Sequence, residues 1–498
     1  MRATLQRLTL PPRRADVSLF RWVYDEIRRA IVDGKLRAGA RLPSSRSLAR
    51  QENVSRGIVV AAFEQLAAEG YIECTVGSGS FVSRGPLEPT FDARPIRHAN
   101  RLEGSQMHLS KRGQCLAQQP YPKLRSNRHA ETFHLDQPPL DLFPLKTWNR
   151  IATRRLRRSR PELLVHGDGL GFPPLRAAIA SHVASTRGVR CSAEQIVITS
   201  GTQQSLDVVT RLLLDPGDPV WVEDPAYPGA SALFRALGAD VIGIPVDDEG
   251  LHWASGRSRR RVGRMVYVTP GCQFPLGITM SLPRRRALLE WARRESAWIF
   301  EDDYDGAFCF SGRPLAALQS LDPAGNVIYS NSFNKLLFPA LRLAFLVVPP
   351  SLVDAVAAAK SVVERFASVP FQAALCDFIT EGHFSQHVRR MREVYATRLD
   401  TLVRLAGAEL SGLLELRAPH GGLQVVGWLP SAIDDSEAAG VAAEHGIDSS
   451  PLSALRVDRP QPGGLVLGVT AAGDRAIRLA VTRLGHVLRL LARRNPTS

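Results

Sequence analysis

The chain has 498 residues, 44% hydrophobic and 22% charged, with 63 Lys and Arg against 48 Asp and Glu. At about 100–200 residues per domain this length holds two to four domains, and the near-average composition excludes disordered, collagen-like and disulfide-scaffold chains. No run approaches the roughly 18 uninterrupted apolar residues of a membrane span, and the basic N-terminus lacks a signal peptide's apolar core, so a cytoplasmic protein without a membrane partner is expected. Six cysteines (Cys74, Cys115, Cys191, Cys272, Cys309, Cys376) stand far apart without a C-x-x-C pair, which argues against zinc or disulfide frameworks and suits a reducing compartment. The positive excess is uneven. Residues 1–85 carry 14 basic against 8 acidic side chains, residues 86–165 carry 15 against 7, and the remaining 333 carry 34 against 33. Basicity is a property of the N-terminal third and predicts a polyanionic partner there, nucleic acid or an anionic surface.

In chain order, Leu19, Val23, Ile27 and Ile31 fall four apart and predict a first helix with one apolar stripe. Gly34 and Gly39 end it. Ser44 or Ser45 can cap a second helix, SSRSLARQ, and Ser55 a third that follows the break at Glu52-Asn53-Val54. Two short helices on a tight break fit a helix-turn-helix. Tyr71-Ile72-Glu73 and Ser80-Phe81-Val82 flank Gly77-Ser78-Gly79, a predicted antiparallel pair with a glycine turn, or wing. By composition alone, a small helical dimerisation module is as good a reading.

The same stretch resembles the DNA-binding domain of the GntR regulators. Its L-P-S-S-R-x-L-A-R, V-S-R and G-S-G-x-F-V elements occur in the family's order and spacing over residues 18–83. The resemblance implies double-stranded DNA as partner, with the helix that begins at Ser55-Arg56 in the major groove. Arg46 and Arg56 would meet phosphates or guanine edges, and the Gly77 and Gly79 backbone would approach the duplex. Gly57-Ile58 stands where the family usually has Asn-Thr, so a hydroxyl contact is lost.

Residues 84–131, basic and dotted with prolines (Pro86, Pro89, Pro95, Pro120, Pro122), predict a linker between domains at 1–83 and 132–498. From about residue 132, apolar runs (QIVITS, PVWVED, DVIGIP, RMVYVTP, AWIFEDD, NVIYSN, LAFLVVPP) alternate with helical patterns, predicting a mostly parallel α/β sheet. Ser200-Gly201-Thr202 at a strand-to-helix junction can hold an anion, as helix N-termini do. AWIFEDDYDG delivers Asp302 and Tyr304 at a strand's carboxyl end, where open α/β sheets place ligands. Lys335 is predicted in a loop between two apolar strands, with Arg342 seven residues on. Singly these are weak signals. His383 and His387 have i,i+4 spacing but no third ligand in view, so no metal is expected. The basic stretch from Arg257 to Arg264 reads as a solvated turn.

Together they match a pyridoxal 5'-phosphate (PLP) site, which needs a Schiff-base lysine, a carboxylate for the pyridine nitrogen and an anchored phosphate. Residues 132–498 resemble fold-type I, class I aminotransferases, with a large, mostly parallel sheet domain and a smaller α+β domain. The whole chain resembles the MocR/GabR/PdxR subfamily of GntR regulators, a winged helix-turn-helix fused to such a domain. The resemblance implies that Lys335 forms the internal aldimine, Asp302 pairs with the ring nitrogen, Tyr304 bonds the ring hydroxyl and Tyr227 stacks on the ring. It places the phosphate among Ser200, Gly201, Thr202, Ser332 and Arg342.

Three departures bear on catalysis. Cys272 replaces a histidine, Phe274 stands where aminotransferases carry the Asn of N-P-x-G, and Val466 takes the place of the arginine for the substrate carboxylate. The expected function is a PLP-binding transcriptional regulator, a head-to-tail homodimer that senses PLP, an amine or an amino acid by aldimine exchange at Lys335. An active aminotransferase with a vestigial DNA-binding domain, and a repressor whose second domain is only a dimer scaffold, are the alternatives.

Overall fold

The computed structural model describes residues 8–14, 16–75, 79–84, 109–119, 132–135, 137–157, 163, 165, 167–257, 261–310, 315–419, 421–458 and 462–494. Two compact units, Met1–Met107 and His108–Ser498, divide the chain. Among the described residues no helix is long and apolar enough to cross a membrane.

In the first unit, helices α1 (Leu19–Val32), α2 (Ser45–Gln51) and α3 (Arg56–Ala68) are followed by strands β1 (Ile72–Thr75) and β2 (Gly79–Val82). Ser18, Ser44 and Ser55 cap the three helices, each side chain accepting a backbone N–H of the first turn. Those donors have no intrahelical partner, so the serines fix where each helix begins. Val23, Ile27 and Ile31 of α1 are buried against Leu48, Val59, Ala62 and Leu66. Leu19, placed on the same stripe by its spacing, is 38% exposed. The wing forms in antiparallel register, Ile72 opposite Val82 and Cys74 opposite Ser80. Gly77 lies outside the described residues.

In the second unit, α4 (Lys111–Gln118) lies within the segment read as linker. Ser110 caps it, and the Cys115 thiol donates to the Arg235 carbonyl at 3.4 Å. Helices α5 (Leu145–Arg157) and α6 (Pro173–Arg187) precede the sheet. Then come β3 (Ile196–Thr199), α7 (Thr202–Leu213), β4 (Pro219–Asp224), α8 (Pro228–Ala236), β5 (Asp240–Asp247), β6 (Gly250–Leu251), α9 (Trp253–Arg257), β7 (Met265–Val268), α10 (Leu282–Glu295) and β8 (Trp298–Asp302). The sheet is completed by β9 (Val327–Ser332), the one-turn α11 (Phe333–Leu336) and β10 (Ala344–Val347). Its order is β3-β10-β9-β8-β7-β4-β5-β6. Strands β5, β4, β7, β8 and β9 run parallel, while β10 is antiparallel to both of its neighbours. All four residues of β3, β7 and β10 are buried, as expected of strands covered on both faces.

Helices α12 (Val353–Val363), α13 (Val369–Thr380) and α14 (His383–Glu409) lead to a smaller α+β region. It contains β11 (Glu415–Leu416), β12 (Gln424–Trp428), α15 (Asp435–Glu444), β13 (Ser450–Pro451), β14 (Gly464–Gly468) and α16 (Asp474–Arg494). Its sheet, β11-β12-β14-β13, is antiparallel. His387 is buried edge-on against Phe143 at 5.7 Å, and burial pushes its pKa down to about 4. Arg261, from the basic stretch, pairs with Asp240 at 3.0 Å.

Candidate functional site

The carboxyl ends of the central strands bring the predicted residues together. A cavity of about 150 Å³ is lined by Thr202, Gln203, Tyr227, Tyr304, Ser332, Asn334, Lys335, Pro339 and Arg342. Lys335 sits on α11 and not in an open loop; the Ser332 hydroxyl accepts the Asn334 N–H and sets that turn. Its Nζ lies 4.5 Å from the Tyr304 ring centre and 5.9 Å from that of Phe274. Tyr227 is the residue before α8, and its ring meets Phe274 edge-on at 6.0 Å.

Gly201, at the head of α7, has φ +147°, a backbone that residues with a Cβ rarely adopt. A Cβ there would stand 3.2 Å from Arg342 Nη2, so the glycine keeps open the space in front of the guanidinium. Ser200 is turned elsewhere. Its N–H and hydroxyl both donate to Gln204 Oε1, at 2.7 and 3.2 Å, and Gln204 donates to Glu364 at 2.6 Å.

Asp302, at the end of β8, is buried. Its Oδ2 accepts from the Tyr267 hydroxyl at 2.8 Å, while its Oδ1 is buried without a partner. Burial pushes its pKa up to about 6, against the pull of the Tyr267 hydrogen bond and the Lys335 charge. An orphaned carboxylate oxygen at the end of the strand is what a protonated ring nitrogen would satisfy. The lysine, this carboxylate and the Gly201–Arg342 opening therefore fit PLP. Tyr304 is more committed than its motif suggested. Its hydroxyl accepts from Gln424 at 2.7 Å and bonds to Asp305, whose pKa burial pushes up to about 7. Cys272, in place of the usual imidazole, also bonds to Asp305.

Around these groups the site is apolar. Phe274, Tyr304, Val426, Leu452, Leu455 and Val466 form one buried cluster, and Val466 pairs opposite Val426 in the β12–β14 register. The place of the carboxylate arginine is therefore filled by hydrocarbon. Sequence reasoning missed Tyr267, Asp305 and Gln424. The first lies inside β7 without a motif, and Gln424 meets Tyr304 across 120 residues of chain.

In the first unit Arg46 and Arg56 are both exposed and have no hydrogen bond or ion pair among the described residues. Gly79 has φ +108°, and the Arg41 guanidinium stands 3.2 Å from where its Cβ would be. Arg41 also lies over the Phe81 ring at 6.0 Å. Arg46 lies in α2, Arg56 begins α3, and Arg41, before α2, bridges to Phe81 of the wing.

Comparison with known proteins covers both units. Residues 20–82 match the family of bacterial regulatory proteins, gntR family, and residues 140–476 match aminotransferase class I and II. The chain is 38% identical over 472 residues, 95% of its length and 94% of the other's, to the probable rhizopine catabolism regulatory protein MocR of Rhizobium meliloti. It is 27% identical over 470 residues, 94% of its length and 95% of the other's, to the pyridoxine biosynthesis transcriptional regulator PdxR of Corynebacterium glutamicum. Among solved structures, a multiple substrate aminotransferase from Thermococcus profundus superposes with a TM-score of 0.71 at 27% identity, over 78% of this chain and 98% of that one. The α-aminoadipate aminotransferase LysN of Thermus thermophilus, solved with N-(5'-phosphopyridoxyl)-L-leucine, gives 0.71 at 28%, over 76% and 98%. The chain belongs to the MocR family of GntR-type transcriptional regulators, a helix-turn-helix unit joined to a domain of the aminotransferase class I/II fold.

Proposed function

We propose that the aminotransferase-like domain binds PLP and senses an amine, an amino acid or PLP itself through Lys335, and that the first unit converts this into operator binding. The observation that carries the reading is the convergence of Lys335, Tyr227, Tyr304, Thr202, Ser332 and Arg342 on one cavity, with the Asp302 carboxylate in electrostatic reach of the lysine. Bound PLP supplies a carbonyl-type carbon that amines reach by exchange, and a cationic ring that draws electrons from it. Lys335 would hold that carbon, Asp302 the ring nitrogen, Tyr304 the ring hydroxyl and Tyr227 the ring face. Gly201, Thr202, Ser332 and Arg342 would hold the phosphate, the guanidinium by charge-assisted bonds, while Ser200, spent on Gln204, stands aside. The hydrocarbon at Val466 supports sensing over turnover of amino and keto acids, because no fork of donors fixes a carboxylate there.

Arg46 and Arg56, with Ser55 at the helix start, contact the duplex, and Gly79 with Gly77 lets the wing backbone approach it. A head-to-tail homodimer presents two such units to paired half-sites. Helix α4 packs near the end of α8, which begins next to Tyr227, and this supports a route from the ring face to residues 109–119.

The test is the visible spectrum of wild type and Lys335→Ala with and without PLP, taken with binding to the protein's own upstream DNA. We expect a band that the variant lacks and DNA binding that follows it. A colourless wild type that binds DNA regardless of PLP would leave the second domain as a scaffold.

A further inference from the structure

Lys360 is a buried charge outside the cavity described above. It lies on α12 and is wholly buried, with its Nζ 3.4 Å from Oε2 of Glu364, one turn on. Taking an ammonium out of water is costly unless a carboxylate meets it. Asp168, the other carboxylate whose field it feels, is engaged elsewhere, by the Leu170 N–H at 2.8 Å and by Arg176 at 3.5 Å. Glu364 needs the pair as much. It ends α12, where the helix dipole disfavours an anion, and the chain then turns away through Arg365 at φ +68°.

The same Glu364 oxygen accepts from Gln204 Nε2 at 2.6 Å, and Gln204 Oε1 accepts both the N–H and the hydroxyl of Ser200, at 2.7 and 3.2 Å. A carboxylate only accepts and a backbone N–H only donates, so one orientation of the Gln204 amide serves both. The charge on Glu364 also polarises that amide and strengthens its oxygen as an acceptor. Gln204 belongs to the first turn of α7 and Ser200 follows β3, so this bond closes the strand-to-helix turn. A second closure is the bond between the Thr199 and Ser205 hydroxyls at 2.8 Å. Within the turn so held stands Gly201 at φ +147°, in front of Arg342.

We propose that Lys360, Glu364 and Gln204 are positioning residues for the phosphate cradle. The ammonium balances the carboxylate, the carboxylate orients the amide, and the amide holds Ser200 back so that Gly201 and Thr202 are presented to the phosphate. This rests on the reading of that turn as the seat of the PLP phosphate. Without Lys360, Glu364 would leave an uncompensated negative charge two hydrogen bonds from Ser200, beside the place meant for an anion. The three residues act on the phosphate end alone, so their loss separates PLP from pyridoxal, which has the same aldehyde and ring but no phosphate.

Full-length wild type, Lys360→Met and the double variant Lys360→Met/Glu364→Gln are titrated with PLP and with pyridoxal, and the visible band is followed. Lys360→Met, which leaves the carboxylate unpaired, should weaken PLP by about tenfold or more and pyridoxal by less than about twofold. The double variant is neutral at both positions and keeps an amide oxygen for Gln204, so it should regain most of the PLP affinity. Equal losses for PLP and pyridoxal, or no recovery in the double variant, would make the pair a brace of the fold and overturn the assignment. Inorganic phosphate gives a second reading without the cofactor. It should raise the Tm of wild type and of the double variant, and that of Lys360→Met less; the same shift in all three overturns the proposal. A wild type that forms no band with PLP but shows this phosphate pattern keeps the positioning role and defeats the Lys335 reading. A wild-type band that Lys360→Met leaves unchanged for PLP does the reverse.

Discussion

At the residue scale, Asp302 sets the pH range of the site. Its carboxyl, pushed up to about 6, is neutral below that pH and cannot pair with a cationic ring nitrogen. PLP affinity is therefore expected to fall as pH falls through about 6, measured by equilibrium dialysis. The Tyr267 hydroxyl stabilises the carboxylate, so Tyr267→Phe should move that midpoint upward; an unmoved midpoint would remove Tyr267 from the site's electrostatics. Gly201→Ala tests the phosphate opening. The added Cβ meets Arg342 at 3.2 Å on a backbone at φ +147°, and strain at such positions costs about 1–3 kcal/mol. Weaker PLP binding with a lower Tm is expected, and unchanged values for both would show that the opening is not needed. The residues named by motif, Lys335 and Arg342 above all, were legible because each sits at a fixed offset within one local stretch. Tyr267 and Gln424 were not, since their partners are set by the packing of distant segments, and the burial that marks Asp305 leaves no local signal. Nor could the sequence show that Ser200 is spent on Gln204, which is a matter of rotamer.

At the element scale, the three capped helices and the wing were read close to their observed bounds, because serine caps and glycine turns are local signals. Seven of the eight strands of the large sheet were found as well, but not the two-residue β6 nor the direction of β10. An apolar run buried on both faces looks the same whichever way it pairs. Helix α4 escaped notice for the opposite reason: an eight-residue helix with no buried side chain leaves almost no periodic signal, and it docks on α8 through Cys115. Cys115→Arg should therefore undock it. Limited proteolysis is expected to cut faster within residues 109–119 while the melting of the remainder is unchanged. Equal cutting rates would mean that the helix does not depend on α8.

At the scale of the whole molecule, the positive excess is shared between the first unit and the start of the second. The excess of Lys and Arg lies in residues 1–165, and residues 166–498 are close to neutral. Operator binding should weaken steeply with salt, each phosphate contact contributing a slope of about 0.9 in log affinity against log salt. Arg46→Ala and Arg56→Ala should each weaken binding, and the salt titration separates their roles. A slope lower by about one marks a phosphate contact, whereas an unchanged slope with about 1–3 kcal/mol of lost discrimination marks a base edge. No loss in either variant would take both residues off the DNA. Inside the second unit, β10 runs against β9, so Ser332, Lys335 and Arg342 all lie on one hairpin arch pinned where Ser332 pairs with Ala344. Closing so short an arch costs little chain entropy, and that cost is met when the protein folds. A ligand entering there orders few residues, so its heat-capacity change on binding should follow the apolar surface it covers. Calorimetry would then register the site as a rigid receptor, already shaped before its ligand arrives.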